Sequence, residues 1–512
     1  MLWGKSSKGR SKALSLLSTI ISFIFVGLNP AMAQDEQPSS IDAAMASVLS
    51  PIADNLSSFV FYKVQIAGAE VSILVVWMAV AMLFLTVYFK FINLRGFGIA
   101  KDILMGRYRD DNAPGDVTQF QALSTALSGT VGIGNIAGVG AALAIGGPGA
   151  TFWMIIIGLC AMSVKFAECT LSVKYREVDD DGSVSGGPMY YLKNGLAAQG
   201  KKRLGLVLAL CYGAFGIPTI IQWATVNQVY AQVNTVLPMD GWVFGVIIAF
   251  LTGVVIIGGI REIVQVTSRL VPFMVTIYLG AALFILITNI TEIPMAFYTI
   301  FHLAFSPDSV AGGILGVIMI GMRRAVYSTE AGLGTSSMVH AAAKTNEPVS
   351  EGMVALMEPF IDTVIVCTIT ALVIVISGQY TDSSLQGITL TSAAFESSIS
   401  FFPYILAFSV FLFGFSTLIS WAYYCEKIWT FVLGRTNTSK RVYKFVFIAL
   451  LIPGGVFTTK QVFDIIDSLF FLLTVPNIIG LYILAPEVKA DLERYLRKLK
   501  DGRIQKNQPD QA

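Results

Sequence analysis

The feature that most constrains this chain is a succession of apolar stretches, each of bilayer-spanning length, with basic residues kept to alternate connections. A membrane helix needs about 20 mainly apolar residues. Stretches of that kind fall near 71–93, 118–145, 150–171, 204–233, 241–259, 269–290, 311–342, 353–377, 403–429, 443–457 and 462–485, about eleven in all. Counted from an outside start, one set of connections holds Lys90, Arg95, Lys101, Arg107, Arg109, Lys174, Arg176, Lys193, Lys201, Lys202, Arg203, Arg261, Lys344, Arg435, Lys440 and Arg441. The other set holds only Lys63 and Lys460. This is the positive-inside pattern, and a miscounted helix would scramble it. Composition agrees: 54% of residues are hydrophobic and 13% charged, with a mean hydropathy of +0.69, against about 25% charged in soluble domains. The predicted fold class is an all-α polytopic membrane protein.

The first residues read as an address rather than as fold. Lys5, Lys8, Arg10 and Lys12 precede a short apolar run, and Ala31-Met-Ala33 supplies an A-x-A site before Gln34. That layout predicts a signal peptide over 1–33. An outside segment, 34–70, follows, with a weakly amphipathic stretch at 41–61 suited to the membrane surface. The five cysteines show no metal-ligand spacing, and with only His302 and His340 a multi-histidine metal site is nearly excluded.

One segment carries "SGTVGIGNIAGVG", 128–140. It fits the dinucleotide pattern G-x-G-x-x-A, but that pattern needs a preceding strand and an acidic residue about 20 residues on. Here the flanks are apolar helix, and the next acid is Glu168, well down the following span. Each glycine costs a helix about 1 kcal/mol relative to alanine, so "GTVGIGN" predicts an interruption at Thr130–Asn135. Gly138 and Gly140 read as packing positions. Broken helix survives in a bilayer only where it lines a cavity, and its freed carbonyls and N–H groups suit a cation and a carboxylate. A second interruption is predicted at "YSTEAGLGTSS", 327–337, five spans away and so of opposite direction. Paired breaks in inverted halves point to a transporter's substrate site.

These motifs carry a family resemblance. "GTVGIGNIAGVG", "GGPGATFWM" (146–154), "KFAE" (165–168), "GGPMYYL" (186–192), the run 328–363 from "STEAG" to "FIDT", and "STLISWAYYCEK" (416–427) resemble the alanine/glycine:cation symporter family. Ile155 and Thr329 depart from its usual Trp and Asn. The resemblance covers nearly everything after about residue 71. It implies a LeuT-like fold: one extra helix (71–93), a first five-helix repeat (117–290), an inverted second repeat (310–486) and a cytoplasmic tail (487–512). It also implies a bacterial inner-membrane protein.

By the same resemblance, Thr130, Gly132 and Asn135 meet substrate or ion. The carbonyls of Ser128 and Val131, with the hydroxyls of Ser416 and Thr417, hold sodium, the co-transported ion; no organic cofactor is expected. From the residues themselves, Gln222 is a mid-span amide that needs partners, Trp421 lies one turn from Thr417, and Tyr327 and Gly332 line the second break. These complete the expected substrate set. Arg323, Glu330, Glu358 and Asp362 are intramembrane charges, costly unless paired, and are expected to form a gating network in which Glu358 and Asp362 partner an arginine. Lys165 and Glu168 are spaced for an i,i+3 pair.

The expected function is symport of a small neutral amino acid, alanine or glycine, with sodium. The expected partners are that solute and the lipid bilayer, with no nucleic acid. A membrane enzyme finds no supporting motif, and a channel would want a filter motif. Sequence leaves open sodium against proton, alanine or glycine against serine or glutamine, and the oligomeric state.

Overall fold

The computed structural model describes residues 40–66, 69–108, 110, 112–132, 134–178, 184–306, 313–456 and 459–504. The expected signal peptide at 1–33 and the end of the tail from 505 lie outside the described residues. Helix α1 (Ser40–Val60) leads into an antiparallel hairpin of β1 (Lys63–Ile66) and β2 (Ala69–Ser72). A second pair, β3 (Glu177–Val178) and β4 (Val184–Ser185), follows later in the chain. These ribbons correct the all-α expectation in two connections, where strand pairing satisfies backbone groups as the chain reverses.

The principal helices are α2 (Ile73–Tyr88), α3 (Gln119–Thr130), α4 (Gly134–Gly146), α5 (Gly149–Lys174), α6 (Lys202–Gly216), α7 (Trp223–Asn234), α8 (Gly241–Ile256), α9 (Ile260–Thr288), α10 (Ile293–Ala304), α11 (Gly313–Thr329), α12 (Pro348–Ser377), α13 (Ile388–Glu396), α14 (Phe402–Leu433), α15 (Asn437–Leu451) and α16 (Thr459–Lys500), with shorter helical turns between them. Six stretches among the described residues are long and apolar enough to cross a bilayer, or seven if α3 and α4, bent by 53°, form one span. Helices α2, α8 and α10 are apolar but shorter. Large apolar side chains such as Trp242, Phe250, Phe284 and Ile287 are exposed on the outside of the bundle, as lipid requires. The chain is a multi-pass membrane protein.

The stretch 204–233, expected as one span, is interrupted. Helix α6 stops at Gly216, a 3-10 turn covers Ile217–Ile220, and α7 resumes at Trp223. Pro218 supplies the cause: it lacks an N–H, and its ring crowds the preceding turn. The expected tail, 487–512, does not start as a separate segment: its first part is the end of α16, continuous over 42 residues and therefore about 60 Å long.

Helix α5 is the hub, packing against α2, α10, α11 and the first part of α12, while α3 packs on α9 and α14. Close approach requires glycine at a few points. A Cβ on Gly140 would stand 2.1 Å from the carbonyl oxygen of Gly387, so the packing role expected there holds. Gly138 differs: a Cβ there would meet nothing within 4 Å. It ends the π-helical turn Gly134–Gly138, whose extra residue per turn re-phases the helix face.

Candidate functional site

The first break is built locally. Thr118 and Gln121 form a capping box that starts α3, and α3 ends at Thr130, after which Val131 is extended and buried. The Asn135 side chain then folds back: its Oδ1 accepts from the Gly132 N–H at 2.8 Å, and its Nδ2 donates to Asp362 Oδ1 at 2.6 Å. On the other side, the Ser128 carbonyl accepts from Thr417 Oγ1 at 3.1 Å and Ser416 Oγ at 3.4 Å, while Ser128 Oγ donates to the Ser416 carbonyl at 2.7 Å. The structure thus gathers three of the four residues expected to hold the ion, with Val131 closing α3 beside them.

The second break is held from a distance. Helix α11 ends at Thr329, and Glu330, Gly332 and Gly334 take φ of 51°, 91° and 77°. Glu168 Oε1 accepts from the Gly332 N–H at 3.0 Å and from Asn477 Nδ2 at 2.7 Å; Asn477 Nδ2 also donates to the Gly332 carbonyl at 2.8 Å. Tyr212 donates to the Leu333 carbonyl at 2.7 Å, and Tyr191 bonds Asn477.

Between the breaks lies a cavity of about 50 Å³ lined by Gly129, Thr130, Gly132, Gly134, Gln222, Thr225, Gln228, Tyr327, Glu330, Thr417, Trp421 and Phe470. One water needs roughly 10–15 Å³ on this measure, so the space suits a solute of a few heavy atoms. Five of the seven expected substrate residues line it: Thr130, Gly132, Gln222, Tyr327 and Trp421. Two do not. Asn135 lies behind the wall, turned to Asp362, and the N–H and carbonyl of Gly332 are taken by Glu168 and Asn477. Gln222 is placed by the Pro218 break and is braced by its bonds to Thr219 and Thr225.

The expected charge network is rearranged. Arg323 pairs with Asp467 at 3.2 Å, not with Glu358 or Asp362. Glu358 pairs with Lys165 at 2.8 Å, and Lys165 also donates to Ser336 Oγ at 2.7 Å, so Lys165 and Glu168 form no pair. His340 Nδ1 lies 2.6 Å from Glu351 and its Nε2 3.8 Å from Glu358. Asp362 accepts from Asn135, Ser328 and Thr363, the latter two at 2.7 Å. A π-helical stretch over Phe360–Cys367 in α12 turns Asp362 to the first break and away from the arginines. Glu330 lines the cavity. Asn477, Asp467, Gln228 and Phe470 were missed by sequence reasoning; two polar residues inside an otherwise apolar last span were the available signal.

Among the described residues, no group of three or more His, Cys, Asp or Glu could hold a metal. Two oxygen clusters could hold a hard monovalent cation: Ser128 carbonyl with Ser416 and Thr417, and Asp362 with Ser328 and Thr363. At the other end of the second break, Arg176 donates to four carbonyls, of Ala341, Ala343, Pro114 and Thr345, each at 2.8 Å. Val117 pairs with Ala343 as a parallel bridge beside it. Beyond the bundle, burial opposes ionisation of Glu177, but hydrogen bonds from Asn194 and Arg435 outweigh it and hold the carboxyl below its ordinary range.

Residues 55–509 match the profile of the sodium:alanine symporter family. The chain belongs to that family. The sodium/alanine symporter AgcS of Methanococcus maripaludis is 37% identical over 437 residues, 84% of this chain and 94% of that protein. A probable sodium/glutamine symporter of Bacillus subtilis, GlnT, is 34% identical over 393 residues, 76% of this chain and 80% of that one. Among solved structures, MhsT in complex with L-phenylalanine superposes with a TM-score of 0.51 at 13% identity, covering 73% of this chain and 98% of that one, a likeness of fold. As a sodium:alanine symporter family member the chain is a cation-coupled amino acid symporter, not an enzyme.

Proposed function

We propose that this symporter imports a small neutral amino acid, alanine and/or glycine, with sodium, by alternating access around the cavity between the two breaks. The observation that carries this reading is the cavity itself, lined by residues of both broken helices and flanked by oxygen clusters at Ser128 and Asp362. Its small volume favours alanine or glycine over glutamine, the solute in the GlnT description. In this reading Thr130, Gly132, Gln222, Tyr327 and Trp421 contact the solute; Ser128, Val131, Ser416 and Thr417 contact sodium. Asn135 and Gly332 act by shaping the breaks.

The finer architecture belongs to the same proposal: eleven spans, an extra helix before two inverted five-helix repeats, the signal peptide removed, N-terminus outside and C-terminus inside the inner membrane. The basic residues gathered in alternate connections support that orientation. The test is uptake of labelled alanine into proteoliposomes under an inward sodium gradient. Uptake that collapses when sodium is replaced by potassium supports the reading; uptake indifferent to sodium but driven by a proton gradient overturns the choice of ion.

A further inference from the structure

We infer that Glu330 receives the α-ammonium group of the transported amino acid, which makes it the residue that demands a zwitterion. The inference rests on the proposed amino acid symport and sharpens it. Among the described residues five carboxylates are no more than 5% exposed: Glu168, Glu330, Glu351, Glu358 and Asp362. Four are committed elsewhere. Glu351 meets His340, Glu358 meets Lys165, Asp362 accepts from Asn135, Ser328 and Thr363, and Glu168 anchors Gly332 and Asn477. Glu330 alone of the five lines the cavity.

Its remaining contacts are neutral. Trp421 Nε1 donates to Oε1 at 3.2 Å and Thr335 Oγ1 donates to Oε2 at 2.7 Å. Both contacts fall on the carboxyl oxygens. Among the described residues no Lys, Arg or His nitrogen pairs with it within 4.0 Å; Lys165 is held by Glu358 and Ser336. A buried carboxylate without a cation is strongly destabilising. The arriving ammonium is the cation this site is missing.

Backbone geometry gives independent support. Glu330 has φ of 51°, a strained conformation rare outside Gly, Asn and Asp. Glycine would relieve the strain, as it does at Gly332 and Gly334. A glutamate persists where its side chain is needed.

The test has two arms, both read by equilibrium binding to purified protein in sodium buffer. In the unaltered protein, lactate, which replaces the ammonium with a hydroxyl, is expected to compete at least ~100-fold more weakly than alanine, since a site built around a polar partner rejects the analogue lacking it. In Glu330→Gln, alanine affinity is expected to fall by at least ~30-fold while the sodium-induced rise in melting temperature remains. Glu330→Asp, which keeps the charge, should retain part of the binding if Glu330→Gln does not fold. Lactate competing within about threefold of alanine, or alanine binding Glu330→Gln and the unaltered protein alike, overturns the assignment and leaves the symport reading standing. If the unaltered protein binds no amino acid, both fall together.

Discussion

The two helix breaks solve one problem in different ways. Both expose backbone groups that lipid cannot satisfy. The first is short, and Asn135, a few residues on, repairs it by accepting from the Gly132 N–H. The second is longer and is repaired by residues far away in sequence: Glu168, Tyr212 and Asn477. A local repair tolerates the loss of distant partners. A remote repair ties the shape of the break to the packing of α5, α6 and α16.

Substitutions can sharpen or break this contrast. The largest effect is expected for Lys165→Met. Lys165 holds Ser336, at the far end of the second break, and neutralises Glu358. Stripping one member from a buried pair costs about 3–5 kcal/mol, and replacing both with apolar residues recovers much of it. The melting temperature should therefore drop sharply in Lys165→Met and rise again in Lys165→Met/Glu358→Leu. Next comes Asn477→Leu, which frees the Gly332 carbonyl and removes a donor from Glu168. A loss of about 2–3 kcal/mol is expected, with alanine uptake abolished; a stable, active variant would show that the second break does not need its remote partner.

Asn135→Ala should cost less, about 1–2 kcal/mol, because the first break keeps its other contacts, but sodium dependence of uptake should be lost as Asp362 is released. Equal destabilisation by the Asn135 and Asn477 variants would dissolve the contrast. Smaller still is Thr417→Ala, which removes one hydroxyl from the Ser128 carbonyl. About 1 kcal/mol, or roughly a fivefold rise in the sodium concentration for half-maximal uptake, is the expected outcome.

The same contrast explains what could be read from sequence. Glycine spacing in "GTVGIGN" marked the first break to within a residue or two, since its cause is local backbone propensity. The second was located by the same token, through Gly332 and Gly334. Its supports were not visible, because nothing in the spacing of Glu168, Tyr212 and Asn477 brings them together; only helix packing does. The pairing of charges failed for the same reason. Lys165 and Glu168 stand at helical spacing, yet each found a better partner across the bundle. Asp362 was sent to the first break by a π-helical stretch that no residue pattern announces. The Pro218 interruption has a local cause too, since a proline in mid-span removes a helix hydrogen bond.

Arg176 has a mechanical consequence. Its guanidinium grips Pro114 ahead of one broken helix and Ala341, Ala343 and Thr345 after the other, and the Val117–Ala343 bridge runs alongside. Two chain segments sewn together at this density share one degree of freedom. Whatever motion admits solute at that end must carry both as a single lever, pivoting against the surrounding helices, rather than parting them like jaws. Spin labels at positions 114 and 345 should accordingly keep one separation with and without sodium and alanine, and a second distance appearing on solute removal would show that the seam opens.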